Sequence, residues 1–233
     1  MLIGRQDLGE TDRLLRWLIP EEGRIAVVAR GARRARSPFV GADLGVRARL
    51  VIEDGPRELD RLVAMEVEDP RLHLRSDYDR LTAMLHLCEV TAALAREAQP
   101  EPRLYGLLET ALLLLDLGES IPGTAFPVVF EAKALTFAGM APVMDRCMVC
   151  SRPIDDNLVW VEGSGVAHSP CELSSLQRVS RAWIDAVESG RRQPLREHYP
   201  LTLPTGPADL LTRMVEAQLG RPLGSRAWML PAG

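Results

Sequence analysis

Three cysteines and a histidine in the second half of the chain follow the pattern C-x2-C-x17-H-x2-C: Cys147, Cys150, His168 and Cys171. Two residues between ligands let one tight turn present both side chains to the same ion. A second such pair closes a tetrahedron around Zn²⁺, whose filled d shell imposes no other geometry. Four protein ligands leave no position for water, so the expected site holds one structural ion. Gly163 and Gly165 turn the chain back between the pairs. In a competing reading His168 is an exposed turn residue, with Glu172 or solvent in the fourth place; the matched x2 spacings favour the histidine as ligand. A zinc deaminase would need H-x-E and P-C-x-x-C, whereas Ser169 and Pro170 follow His168 and Arg146 precedes Cys147. A bound ion contributes on the order of 10 kcal/mol of apparent folding energy. The large apolar residues nearby are chiefly Ile154, Leu158, Val159, Trp160 and Val161, so this segment is expected to be disordered without metal.

A second constellation is ARGARRARSPF, which packs Arg30, Arg33, Arg34 and Arg36 between two expected strands. Net charge is −4 overall, yet residues 1–50 hold ten arginines against six acids. Between Arg24 and Arg49, seven arginines face the single acid Asp43. Guanidinium forks are planar, permanently charged and bidentate, which suits phosphate oxygens. The bland alternative is a solvated loop in an arginine-preferring chain, since Lys133 is the only lysine. That preference explains arginine over lysine but not the clustering. Only Trp17 and Phe39 could stack on bases here, so binding should be electrostatic and indifferent to sequence. Neutralising about five phosphates would cost roughly 500-fold in affinity between 50 and 200 mM salt.

Other candidates are weaker. Lys133 interrupts an apolar helix and could meet an acidic partner or simply lie on the helix surface. His86 and Cys88, on an apolar helix, read as structural; His73 and His198 have no cysteine or acid at ligand spacing. Asp155-Asp156 and Glu21-Glu22 read as solvated turns. There is no GxxxxGK[ST] loop and no GxGxxG. With the metal site closed, no residue set for catalysis remains and the chain is not expected to be an enzyme.

The elements that must position these groups divide the chain. Length 233, 46% hydrophobic and 26% charged residues fit a soluble globular protein. No apolar run approaches the ~20 residues of a membrane span, and the charged start has no signal-peptide core; no membrane association and a cytoplasmic location are expected. Three of the four cysteines lie in paired spacing, which favours metal over disulfides. DRLLRWLIP, GRIAVVARG, VRARLVIEDG and ELDRLVAMEVED read as short strands of a small barrel, residues 1–70. Helical spacing follows. LTAMLHLCEVTAALAREA puts Leu81, Met84, Leu85, Cys88, Ala92 and Ala95 on one face, and LYGLLETALLLLDLG and TAFPVVFEAKALTFAG come next. SSLQRVSRAWIDAVESG and PADLLTRMVEAQLG resume helices after the metal segment. The expected fold class is α+β and multidomain: barrel 1–70, helical domain 71–141 with 174–233, metal module 142–173.

GRQDLGETDRLLRWLIPEEGRIAVVARGARRARSPF, FEAKALTFAGMAPVMDRCMVCSRP and LGRPLGSRAWML together resemble the bacterial recombination mediator family RecO, in family order across nearly the whole chain. The resemblance implies an N-terminal OB-fold barrel and a helical domain with an inserted zinc module. It also implies a non-catalytic function: binding single- and double-stranded DNA, annealing complementary strands, and acting with RecR to place RecA on DNA coated by single-stranded-DNA-binding protein. A nucleoid-associated location would follow. The family commonly has cysteine where His168 stands; a Cys3His set keeps tetrahedral zinc. The chain begins inside what resembles the first strand, leaving that strand short or its start upstream. Annealing requires neutralising two polyanions without reading bases, a role that falls to Arg24, Arg30, Arg33, Arg34 and Arg36, with Arg5 and Arg13 as further candidates. A zinc-containing transcription regulator and an adaptor that does not bind DNA are the rival classes, separable by footprinting and by salt titration on oligonucleotides.

Overall fold

The computed structural model describes residues 1–55, 59–118, 120–172, 177–204 and 206–225. The last part of LGRPLGSRAWML, from Arg226, lies outside them.

Alternating apolar and polar residues make an antiparallel meander of β1 (Leu2–Leu8), β2 (Asp12–Ile19) and β3 (Gly23–Ala29). After the arginine loop, β4 (Arg47–Glu53) and β5 (Asp60–Asp69) form a second antiparallel pair. The sheet order is β1-β2-β3-β5-β4, with β3 and β5 parallel. Leu2 N donates to the Val46 carbonyl at 3.0 Å and Gly45 N to the Leu2 carbonyl at 2.9 Å, so the sheet curls until its first strand meets the run into β4. Period-2 alternation sends Leu15, Trp17, Val27, Ala29 and Leu62 inward, against Phe39 and Ala42 from the loop. Trp17 is fully buried; truncating it to alanine would cost about 3–5 kcal/mol.

The helices are α1 (Tyr78–Leu94), α2 (Pro102–Leu117), α3 (Ala125–Phe137), α4 (Arg181–Arg192) and α5 (Leu210–Leu219). Their ends follow capping chemistry. The Asp77 carboxylate accepts from Arg80 N at 2.9 Å, Pro102 opens α2, Ser180 Oγ accepts from Trp183 N at 3.2 Å, and Gly220 closes α5 at φ +65°. Two details differ from the sequence reading. Arg178–Val179 is a strand, β8, paired to β6 (Leu158–Val161), and α4 starts only after Ser180. The single apolar face expected for α1 is instead burial nearly all round, taking in Thr82, His86, Val90 and Thr91, because α1 packs against β1, α2, α3 and α5 together.

The strands and helices share a core. Met1, Ile3 and Leu18 pack among Leu74, Met84, Leu87 and Leu108. Glu109 on α2 receives Arg47 of β4 at 2.8 Å and Arg71 at 2.7 Å, and the Arg71 side chain is wholly buried. No helix among the described residues is long and apolar enough to cross a membrane.

Candidate metal centre and nucleic-acid interface

The chain between α3 and α4 brings Cys147, Cys150, His168 and Cys171 together, with all four ligand atoms within 4.8 Å of one another. The first pair sits on a knuckle, in which Ser151 N donates to the Cys147 carbonyl at 2.8 Å and Ser151 adopts φ +60°. The second sits at the end of a hairpin of β6 and β7 (Gly165–His168), with Cys171 N donating to the His168 carbonyl at 2.8 Å. Gly165 makes the hairpin meet the knuckle: at φ +144°, a Cβ there would collide with the Val143 backbone. Nδ1 of His168 faces the sulfurs, 3.4 Å from Cys150 Sγ and 3.9 Å from Cys171 Sγ. Its Nε2 lies 3.0 Å from the Pro153 carbonyl, the outer contact that fixes the tautomer and orientation of a ligating imidazole.

The electrostatics favour a cation. Burial pushes the Cys147 thiol up, but N–H groups of Cys150, His168 and Val149 outweigh it and bring it down to about 6. Burial and the neighbouring Cys150 push Cys171 up to about 11. Contact with Cys150 raises His168. Three sulfurs and one nitrogen converging within 4.8 Å could hold one metal ion, and four protein donors would complete a tetrahedral shell. The segment is also anchored by apolar packing away from the metal side. Leu158, Trp160 and Val166 belong to the main helical core, with Trp160 edge-on to Trp183 at 6.5 Å. Only Cys147, Val159 and Ala167 form the small cluster on the metal side.

The arginines are sorted differently. Arg30, Arg34 and Arg36 are exposed, and among the described residues none of the three guanidiniums has a hydrogen bond or a close ion pair, although the charges of Arg30 and Arg34 are felt by Asp12. Arg33 leans back on its own barrel, with Nη1 donating to the Gly9 carbonyl at 2.8 Å and Nε 3.4 Å from Asp7. Arg13 shares that carboxylate at 3.0 Å. Arg5 pairs with Asp43 at 2.7 Å, where Arg75 arrives on the other oxygen at 2.9 Å. Spacing gave no sign of that third member. The loop base is pinned by Asp12, which accepts Gly31 N at 2.8 Å; that N–H and the Thr11 hydroxyl hold the carboxyl below its usual range.

Arg24 requires a correction. It stands at the opposite end of β3 from Arg30, where Nη1 donates to the Ala92 carbonyl at 2.6 Å and Nη2 meets Glu97 at 3.1 Å. It ties the barrel to the end of α1 and does not join the loop. Lys133 is corrected too. Its Nζ is consumed by the carbonyls of Arg191 at 2.9 Å and Gln193 at 2.6 Å, capping α4 from within, and burial lowers its pKa.

Residues 1–71 match the family model described as Recombination protein O N terminal, and residues 75–227 that described as Recombination protein O C terminal. The chain belongs to the RecO family. It is 29% identical to the DNA repair protein RecO of Myxococcus xanthus, with 100% of this chain and 96% of that protein aligned. It is 31% identical to the one from Anaeromyxobacter sp. strain K over 96% of this chain and 91% of that one. With the protein of the same name from Gloeothece citriformis it shares 36% identity over 65% of this chain and 54% of that one. The two RecO matches adjoin at the short turn before α1, where Arg71, at φ +49°, is buried beside Glu109.

Proposed function

We propose that this RecO-family protein is a non-catalytic recombination mediator in DNA repair. It binds single- and double-stranded DNA without reading sequence, anneals complementary strands, and acts with RecR to load RecA onto DNA coated by single-stranded-DNA-binding protein. One observation carries the DNA-binding part: Arg30, Arg34 and Arg36 project unpaired from one loop at the end of the barrel. The strand order β1-β2-β3-β5-β4, with β3 and β5 parallel and the first strand hydrogen-bonded towards β4, supports reading residues 1–70 as an OB-fold. Proteins of that fold hold single strands in charged grooves.

Phosphate contacts by the three free guanidiniums reduce the salt response expected from composition. Three neutralised phosphates correspond to a loss of about 40-fold between 50 and 200 mM salt. Arg13 and Arg33 add to this only by giving up Asp7, and Arg5 only by giving up Asp43. The metal is Zn²⁺ in this reading, as three thiolates and an imidazole select; its chemistry is to hold shape. Helical residues 71–141 and 174–233 carry the module 142–173, and the protein works in the cytoplasm at the nucleoid.

The test is fluorescence anisotropy on labelled oligonucleotides of unrelated sequence. The triple variant Arg30→Ala, Arg34→Ala, Arg36→Ala should lose affinity for all of them equally and flatten the salt slope. Wild-type affinity in the triple variant at low salt would end the proposal for this loop.

A further inference from the structure

We infer that a cleft on the helical side, between α1, α3 and residues 202–204 and 206–212, is a docking site for a basic side chain, arginine or lysine, carried by an apolar peptide segment of a partner protein. The cleft measures about 600 Å³, within the range of sites that bury most of a small ligand and more than one side chain fills. Its walls are apolar, formed by Pro127, Val128, Trp183, Leu203 and Pro204, and Ile121 stands exposed at the rim.

Its floor is built, and it lacks one hydrogen bond. Glu131 is 1% exposed. Oε1 takes both contacts that the protein offers it, His86 Nε2 at 2.9 Å and Thr212 Oγ1 at 2.8 Å. His86 is itself held by Ser225 Oγ, 3.0 Å from Nδ1. Oε2 receives no donor from the described residues. That oxygen keeps its acceptor capacity, and it belongs to a residue lining an open cleft. Asp79 lines the same cleft, and among the described residues no arginine or lysine does. An acceptor floor, an acidic rim and apolar walls fit a donor cation on a greasy stem. They oppose an acidic ligand, which would meet Asp79 and Glu131 with no arginine or lysine among the described lining residues. This site is separate from the arginine loop, so a partner seated in it leaves the proposed DNA face open.

Acetyl-Leu-Arg-Leu amide is the probe, titrated into the intact protein with the Trp183 indole N–H followed by NMR. It should give a saturable shift, about tenfold tighter than acetyl-Leu-Gln-Leu amide, the factor of one charge-assisted hydrogen bond. Acetyl-Leu-Asp-Leu amide should not bind. Glu131→Gln should reduce the arginine peptide to the glutamine peptide's affinity. Because a change at so buried a site can disturb folding, Leu203→Arg on the half-buried rim provides the second arm: its own cation should block the arginine peptide. Equal affinity for the arginine and glutamine peptides, tighter binding of the aspartate peptide, an unmoved Trp183, or undiminished binding to Leu203→Arg would each overturn the inference.

Discussion

The metal cluster and the arginine cluster both need like residues to converge, and the two regions answer that need differently. Four ligand atoms meet within 4.8 Å. Of the seven arginines proposed for DNA, three have side chains free of partners among the described residues, three lie on neighbouring acids or carbonyls, and Arg24 is at the other end of β3. The difference is one of valence. A tetrahedral ion requires four donors at fixed distance, so the spacing of the chain encodes the outcome. A guanidinium accepts any carboxylate or carbonyl within reach, so its fate depends on residues that are remote in sequence, such as Glu97 and Asp43.

The largest effect lies on the metal side. Cys147→Ser together with His168→Ala should abolish metal stoichiometry by elemental analysis and remove on the order of 10 kcal/mol of apparent stability from the knuckle. Trp160, anchored to Trp183, should keep its buried fluorescence. If the whole hairpin melts instead, the apolar anchoring has been overrated. Next comes the most deeply paired arginine. Glu109→Ala leaves the buried Arg71 with only the more distant Asp69 carboxylate, at 3.7 Å, and should cost about 3 kcal/mol in urea denaturation, with DNA affinity of the remaining folded protein unchanged.

Arg24→Ala should sharpen the division among the arginines. It should lower stability by about 1–2 kcal/mol through loss of charged hydrogen bonds, while anisotropy on oligonucleotides reads wild-type affinity. Smallest is the pH response of the loop base. The Asp12 carboxyl is held below the usual carboxylate range by the Gly31 N–H and the Thr11 hydroxyl. A depressed acid stabilises above its unfolded pKa and ceases to do so as pH falls through the folded one. Exchange protection of the Gly31 amide should therefore persist at neutral pH and vanish in acid below the usual carboxylate range, and Asp12→Ala should remove it at every pH.

What was legible in the sequence follows the same division. Short-range signals could be read: the x2 spacings, the alternation of DRLLRWLIP, Pro102 and Gly220 at helix ends. So could the arginine loop itself, flanked by β3 and β4. What escaped depends on long-range packing. α1 looks amphipathic until four elements close round it, and no window of residues shows that Thr82 and His86 go inside. Val179 is part of a helical pattern by spacing, but it pairs with Leu158, twenty-one residues earlier. Lys133 looked exposed because nothing nearby could satisfy it; its partners are the carbonyls at the end of α4, 58 and 60 residues away.

Ile3 and Leu18, strand residues, are packed among side chains of α1 and α2. Sheet, helices and metal hairpin therefore share one packed interior, so a substitution at Leu18 reaches α1 and α2 directly, and the hairpin meets the same interior through Trp160 against Trp183.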